Sequence, residues 1–178
     1  NDVLIDALNS GKADKQNSTL NLHYLVKLDT MGTILSAELD YVRLYSLDDA
    51  LFVNGLVSMG IPAGVTIDRL LYDNRNNYDI YAAKADLTKT LGKVGKLEVG
   101  PKASRVISDN ELKFYEETDG TMQPDAKRSN HFIYKENIYA AYASYSRTIK
   151  AFELQAGLRA EQTNTEGTTT TLAGVVEL

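Results

Sequence analysis

The chain has 178 residues, a formal net charge of -5 and 43% hydrophobic residues, which suits one domain. No stretch reaches the ~20 apolar residues of a transmembrane helix, no basic run with interleaved aromatics offers a nucleic-acid surface, and the absence of cysteine excludes disulfide and thiolate chemistry. A mean hydropathy of -0.28 still admits a membrane β-barrel, because half of each barrel strand faces a polar lumen.

Residues 2–7 are a short apolar start, and residues 9–18 read as polar and turn-rich. Alternation then begins. Leu20, Leu22, Tyr24, Val26 and Leu28 share one parity, while Thr19, Asn21, His23 and Lys27 share the other. Successive side chains of a strand point to opposite faces, so this is a ribbon with one apolar side. Asp29, Thr30, Met31 and Gly32 form a turn signal. Leu35, Ala37, Leu39, Tyr41 and Tyr45 then oppose Ser36, Glu38 and Asp40, completing a first hairpin over residues 18–46.

Residues 46–77 break the pattern and are expected to form a long connection. A second hairpin over 77–108 sets Tyr81, Ala83, Ala85 and Leu87 opposite Lys84 and Asp86. After a turn at 91–95, it sets Leu97, Val99, Pro101, Ala103 and Ile107 opposite Glu98, Lys102 and Ser104. Pro101 donates no ladder hydrogen bond, so a bulge is expected there; Arg105 and Val106 break the parity. Residues 109–130 form another long polar stretch, in which 111–117 extend the preceding strand. The third hairpin covers 131–162 with its turn at 147–150. Its first strand has no assignable face, since Ile138, Ala140 and Tyr142 compete with Tyr139, Ala141 and Tyr145. In its second strand Phe152, Leu154, Ala156, Leu158 and Ala160 oppose Glu153, Gln155, Gly157, Arg159 and Glu161. The Thr-rich tail, 163–178, reads as loop with a last apolar scrap able to begin a further strand.

The expectation is an all-β antiparallel meander of about six strands. Short turns lie at one end and long loops at the other (46–77, 109–130 and 163–178), the asymmetry of a transmembrane β-barrel. Six or seven strands fall below the eight of small barrels, and an open sheet in lipid leaves edge groups unpaired. The chain, which starts at Asn1 without an initiator methionine, is therefore expected to be a segment of a longer polypeptide. The alternative is a soluble β-sandwich or small barrel that binds a ligand or partner. If made alone in water, the segment would have to pack its apolar faces together or self-associate.

At 132–167 the sequence resembles the outer-membrane β-barrel region of Bacteroidetes-type TonB-dependent receptors. The carrying residues are Tyr134, Glu136, Asn137, Tyr139, Ala140, Ala141 and Tyr142, followed by Gly157, Leu158, Arg159, Glu161 and Thr163. The hairpin around 28–46 and the Gly-Lys turn leading into Leu97, Glu98 and Gly100 resemble earlier parts of the same family, so the likeness spans roughly 17–167. It implies a bacterial outer-membrane location, lipid around the barrel, TonB-coupled nutrient uptake by the whole protein, and ligand contact at the long loops. The family's N-terminal plug and TonB box have no counterpart here, so any contact with TonB would run through a region outside this sequence.

Catalytic chemistry finds little support. Gly92, Lys93, Val94, Gly95 and Lys96 lack the spacing and the following Ser or Thr of a phosphate loop, and read as a hairpin turn. His23 and His131 have no partner at metal-ligand spacing. Asp48 with Asp49 and Glu116 with Glu117 are loop carboxylates outside any EF-hand register. No catalytic, cofactor, metal or ligand-binding residue is assigned, no cofactor is expected, and an enzyme is the least favoured class. Lys84, Asp86, Glu98, Lys102, Glu153, Arg159 and Glu161 are expected to form cross-strand ion pairs, on a barrel lumen or on a solvated sheet. Tyr41, Tyr45, Tyr78, Tyr81, Tyr134, Tyr139, Tyr142 and Tyr145 form either an aromatic girdle near the loop side or ordinary cross-strand packing.

Overall fold

A computed structural model describes residues 3–58, 64–171 and 174–177. Six long strands and a short seventh form one antiparallel sheet in simple chain order. They are β1 (Val3–Lys27), β2 (Ile34–Ser58), β3 (Gly64–Thr90), β4 (Lys96–Thr118), β5 (Thr121–Ile149), β6 (Phe152–Thr171) and β7 (Gly174–Glu177). The sheet is open, with β1 and β7 as its edges. Among the described residues no second layer covers it, so the two-layer sandwich is not the architecture. Ala50 and Ala140 are the buried apolar side chains among the described residues, and no large side chain there is fully buried.

What replaces a core is a two-faced surface. Directly paired residues share a face, so the register traces rows across the sheet. One row runs Leu22, Leu39, Ala83, Ala103 and Tyr139; another runs Leu35, Leu87, Val99, Ala143 and Leu158. The apolar parity of every hairpin therefore falls on one face, and most of its large side chains are exposed: Leu22 is 60% accessible and Leu158 is 84%. Pairing also settles β5. Tyr139, Ala141, Ala143 and Tyr145 lie on this apolar face, because they stand opposite Ala103, Pro101, Val99 and Leu97.

Three short turns close one end. At β1–β2, Asp29 Oδ1 accepts from the backbone N–H groups of Met31 and Thr33, each at 2.9 Å, and Oδ2 accepts from Thr33 Oγ1 at 2.5 Å. These bonds hold the Asp29 carboxyl below its ordinary pKa, chiefly through the Thr33 hydroxyl. At β3–β4, Gly92–Val94 make a single 3-10 turn, with Gly92 at φ 59° and Gly95 at φ 142°. A Cβ on Gly95 would collide with the Ser146 carbonyl oxygen, so these glycines serve a tight turn. At β5–β6 the ladder runs to Ile149 opposite Phe152, so the turn lies at Lys150 and Ala151 rather than 147–150. Lys150 takes the left-handed conformation there, φ 55°.

The other end departs most from expectation. The stretch 46–77 continues as paired ribbon, from Ser46 opposite Asn76 to Ser58 opposite Gly64; residues 59–63 lie outside the described residues. Residues 9–18 are strand, paired with Phe52 to Arg43. Residues 109–130 form the ends of β4 and β5, joined at Asp119 and Gly120 with φ 51° and 76°. Asp-Gly with both residues at positive φ matches the type I′ hairpin turn. Residues 163–171 continue β6, and the apolar scrap is β7. The alternation, which records one greasy and one wet face, fades in these stretches for two reasons: 73–79 and 163–171 are polar on both parities, whereas Ala50, Leu51, Phe52 and Val53 are apolar on both.

Pro101 does not bulge: the β3–β4 register is unchanged on either side of it, although no partners pair between Lys84–Lys102 and Leu87–Val99. The register shift falls at Leu112 and Phe114 instead. There Asp125 Oδ1 accepts from Lys127 N at 2.9 Å, and Ser129 Oγ accepts from Phe114 N at 2.9 Å, so side chains satisfy backbone donors that the ladder leaves out.

Candidate functional site

The face opposite the apolar one carries the chain's organised polar chemistry. One row runs His23, Glu38, Lys84, Lys102, Ala140 and Glu161. Glu38 bridges two strands: its Oε1 lies 3.4 Å from His23 Nδ1 and its Oε2 lies 3.1 Å from Lys84 Nζ. Lys84 also reaches Asp86 Oδ2 at 3.6 Å. In the neighbouring row toward the outer end, Asn21 Nδ2 donates to Asp40 Oδ1 at 2.6 Å.

On the turn side, Tyr142 Oη donates to Asp86 Oδ1 at 2.5 Å, spanning from β5 to β3 across β4. Gly100 lies between them. A Cβ there would meet Asp86 Oδ1 at 2.5 Å and Tyr142 Cε1 at 2.9 Å, so glycine leaves the path for the ring.

The expected cross-strand pairs are realised in part. Lys84 does pair across strands, with Glu38. Glu98 pairs with Lys96, and Arg159 pairs with Glu161 at 2.5 Å, both along one strand. Their neighbours two positions along the same strand are in closer reach than any opposite charge across the ladder. Lys102 stands directly opposite Lys84, and no ion pair is found for it or for Glu153 among the described residues. Sequence reasoning missed the Tyr142–Asp86 bond. Its signal is a glycine, Gly100, on the polar parity between a Tyr strand and an Asp strand.

The tyrosines divide. Tyr41 and Tyr81 stack at 4.9 Å on the apolar face where the greasy rows end, and Tyr41 Oη donates to Asp79 at 2.7 Å. Tyr139 lies one row inward, whereas Tyr145 sits at the opposite, turn end and donates to the Val94 carbonyl. Tyr78, Tyr134 and Tyr142 occupy the polar parity, and Tyr45 lies beyond the apolar band, beside Asn77. Of the two alternatives for this set, a loop-side girdle describes only the Tyr41–Tyr81 pair with Tyr139 beneath it. Strand parity turns every second position away from that surface.

The candidate carboxylates do not converge. Asp48 accepts from Ser46 Oγ at 2.6 Å, and Glu117 meets Arg69 at 3.2 Å. Being adjacent in a strand, the members of each pair point to opposite faces. His131 Nε2 lies 2.6 Å from Asp109 Oδ1. No group of three His, Cys, Asp or Glu able to hold a metal occurs among the described residues. Further out on the polar parity, Phe52, Tyr72 and Phe114 form a ring series with centroids 5.8 and 6.0 Å apart.

An exposed apolar face, a hydrogen-bonded polar face and short turns at one end define a wall of a transmembrane β-barrel. Residues 26–176 match the outer membrane protein beta-barrel family, and the chain belongs to it. Its location is the bacterial outer membrane. No curated protein matches the chain. Among solved structures it is similar to the ferric citrate transporter FecA in the unliganded form, at 12% identity and TM-score 0.43 over 82% of this chain and 23% of that one. It is also similar to the ferripyoverdine receptor of the outer membrane of Pseudomonas aeruginosa bound to ferripyoverdine, at 11% identity and TM-score 0.37 over 99% and 34%. The chain thus spans about a quarter to a third of those structures.

Proposed function

We propose that this chain is part of the wall of an outer-membrane β-barrel that imports a nutrient, with TonB supplying the energy. The observation that carries the barrel-wall reading is the continuous exposed apolar face backed by the Glu38–Lys84–Asp86–Tyr142 network. Such a pairing suits hydrocarbon on one side and water on the other. TonB coupling is supported by the resemblance at 132–167. The role is non-enzymatic, and ligand meets the outer end of the strands, at the described residues within 46–77, 109–130 and 163–178. The free edges of β1 and of the part of β6 that β7 leaves unpaired, 152–167, require partner strands in hydrocarbon, supplied by the rest of the barrel or, in the isolated segment, by another copy.

The test is uptake by cells carrying the intact protein, measured with TonB present and deleted. Loss of uptake in both the TonB deletion and the deletion of this protein supports the reading. Uptake that needs this protein but not TonB overturns the coupling and leaves a passive channel. A parent protein that is water-soluble without detergent overturns the barrel.

A further inference from the structure

We propose that the outer end of the apolar face holds a site for a phosphorylated lipid of the outer leaflet, with the phosphate on Arg105 and an acyl chain in the trough beneath it. The proposal rests on the reading of this face as lipid-facing.

The trough comes from side-chain size. Ala83 and Ala103 stand opposite each other on β3 and β4, flanked in the same row by Leu39 and Tyr139. Two methyl groups between larger side chains leave a depression of about 510 Å³, lined almost wholly by carbon. The next row toward the turns is also low, with Ala85, Pro101 and Ala141. An extended acyl chain can therefore continue toward the middle of the bilayer.

Arg105 closes the outer end of this trough. It is exposed and sits in the row of the Tyr41–Tyr81 stack, where the apolar rows give way to charged ones. Directly across the ladders it faces Tyr81 and Asn137, both uncharged. Asp79, diagonal to it, accepts the Tyr41 hydroxyl instead. No ion pair is found for Arg105 among the described residues. A guanidinium at the edge of hydrocarbon with no carboxylate partner is complementary to a lipid phosphate, which it binds through paired N–H donors. With the short turns on the periplasmic side, this end of the strands meets the outer leaflet.

The experiment uses the intact protein, reconstituted in phosphatidylcholine bilayers with and without lipid A. Lipid A retained after detergent exchange is measured by mass spectrometry for wild type, Arg105→Gln and Ala103→Phe. Heat-modifiable gel migration confirms assembly of each variant. We expect at least about tenfold less retained lipid A in either variant, one losing the phosphate contact and the other filling the trough. Equal retention in an assembled variant overturns the site. Single spin labels at Leu22 and Leu158, with any cysteine outside this cysteine-free segment replaced, test the underlying reading separately. Labels accessible to oxygen but not to an aqueous quencher support a lipid-facing surface, and water-accessible labels overturn that reading together with the site.

Discussion

At Gly100 one missing methyl group lets the Tyr142 ring lie across β4 and reach Asp86 on β3. Gly100→Ala is expected to break that bond and crowd the Ala85 carbonyl, which a Cβ would meet at 2.5 Å. The expected cost is about 1–3 kcal/mol in urea unfolding of the assembled barrel. Tyr142→Phe loses the bond without the clash, and about 1.5–3 kcal/mol is expected for a hydrogen bond to a charged acceptor. If the two variants unfold like wild type, the bridge contributes nothing to the wall. The exposed Arg159–Glu161 pair gives a useful contrast, since a surface pair of this kind contributes about 0–1 kcal/mol.

The β1–β2 turn is organised around one carboxylate. Asp29 has its pKa lowered in the folded turn, first by the Thr33 hydroxyl and then by backbone N–H groups. A depressed carboxyl stabilises the fold above its unfolded pKa, near 3.8, and that contribution disappears as pH falls through the lower folded value. Amide exchange at Met31 and Thr33 should therefore accelerate below about pH 3.8 relative to other turn amides, after correction for intrinsic rates. Asp29→Asn should remove this pH dependence. At the opposite end, Gly120→Ala places a side chain at φ 76° and should cost roughly 1 kcal/mol, read as faster proteolysis near residues 119–120. The sequence carries a signal for this turn, Asp119-Gly120, yet the expectation for 109–130 was a long loop, because the polar residues around that dipeptide mask the strands it joins. The apolar faces of β1 to β4 and β6 were legible from parity. The face of β5 was not, because Ala140 and Tyr142 on its polar side look as apolar as Ala141 and Tyr139. It took the pairing with Ala103 and Pro101 to decide it. The outer ribbons were hidden for the opposite reason: in 73–79 and 163–171 neither parity is greasy, so nothing periodic marks the strands. The Glu38–Lys84 and Tyr142–Asp86 contacts depend on register, which the separate hairpins left open.

For the molecule as a whole, the two faces should respond oppositely to charge. Leu158→Arg puts a cation on the apolar face and should cost about 2–4 kcal/mol if near the bilayer midplane. Gln155→Arg, on the polar parity of the same strand, should assemble almost as wild type. Folded yield in lipid, measured by heat-modifiable migration, distinguishes them; equal yields would mean that hydrocarbon does not contact Leu158. The strands also far outrun the greasy rows. From Arg43 to Ser58, β2 continues in register with β3 for roughly 50 Å beyond the tyrosine pair, at ~3.3 Å per residue. A ribbon laddered along that length behaves as a lever arm: pivoting it by about 5° at its base swings its tip by about 4 Å. Motion at the mouth of such a barrel would then be set by small changes of strand inclination at the bilayer surface, with hairpins swinging as stiff blades.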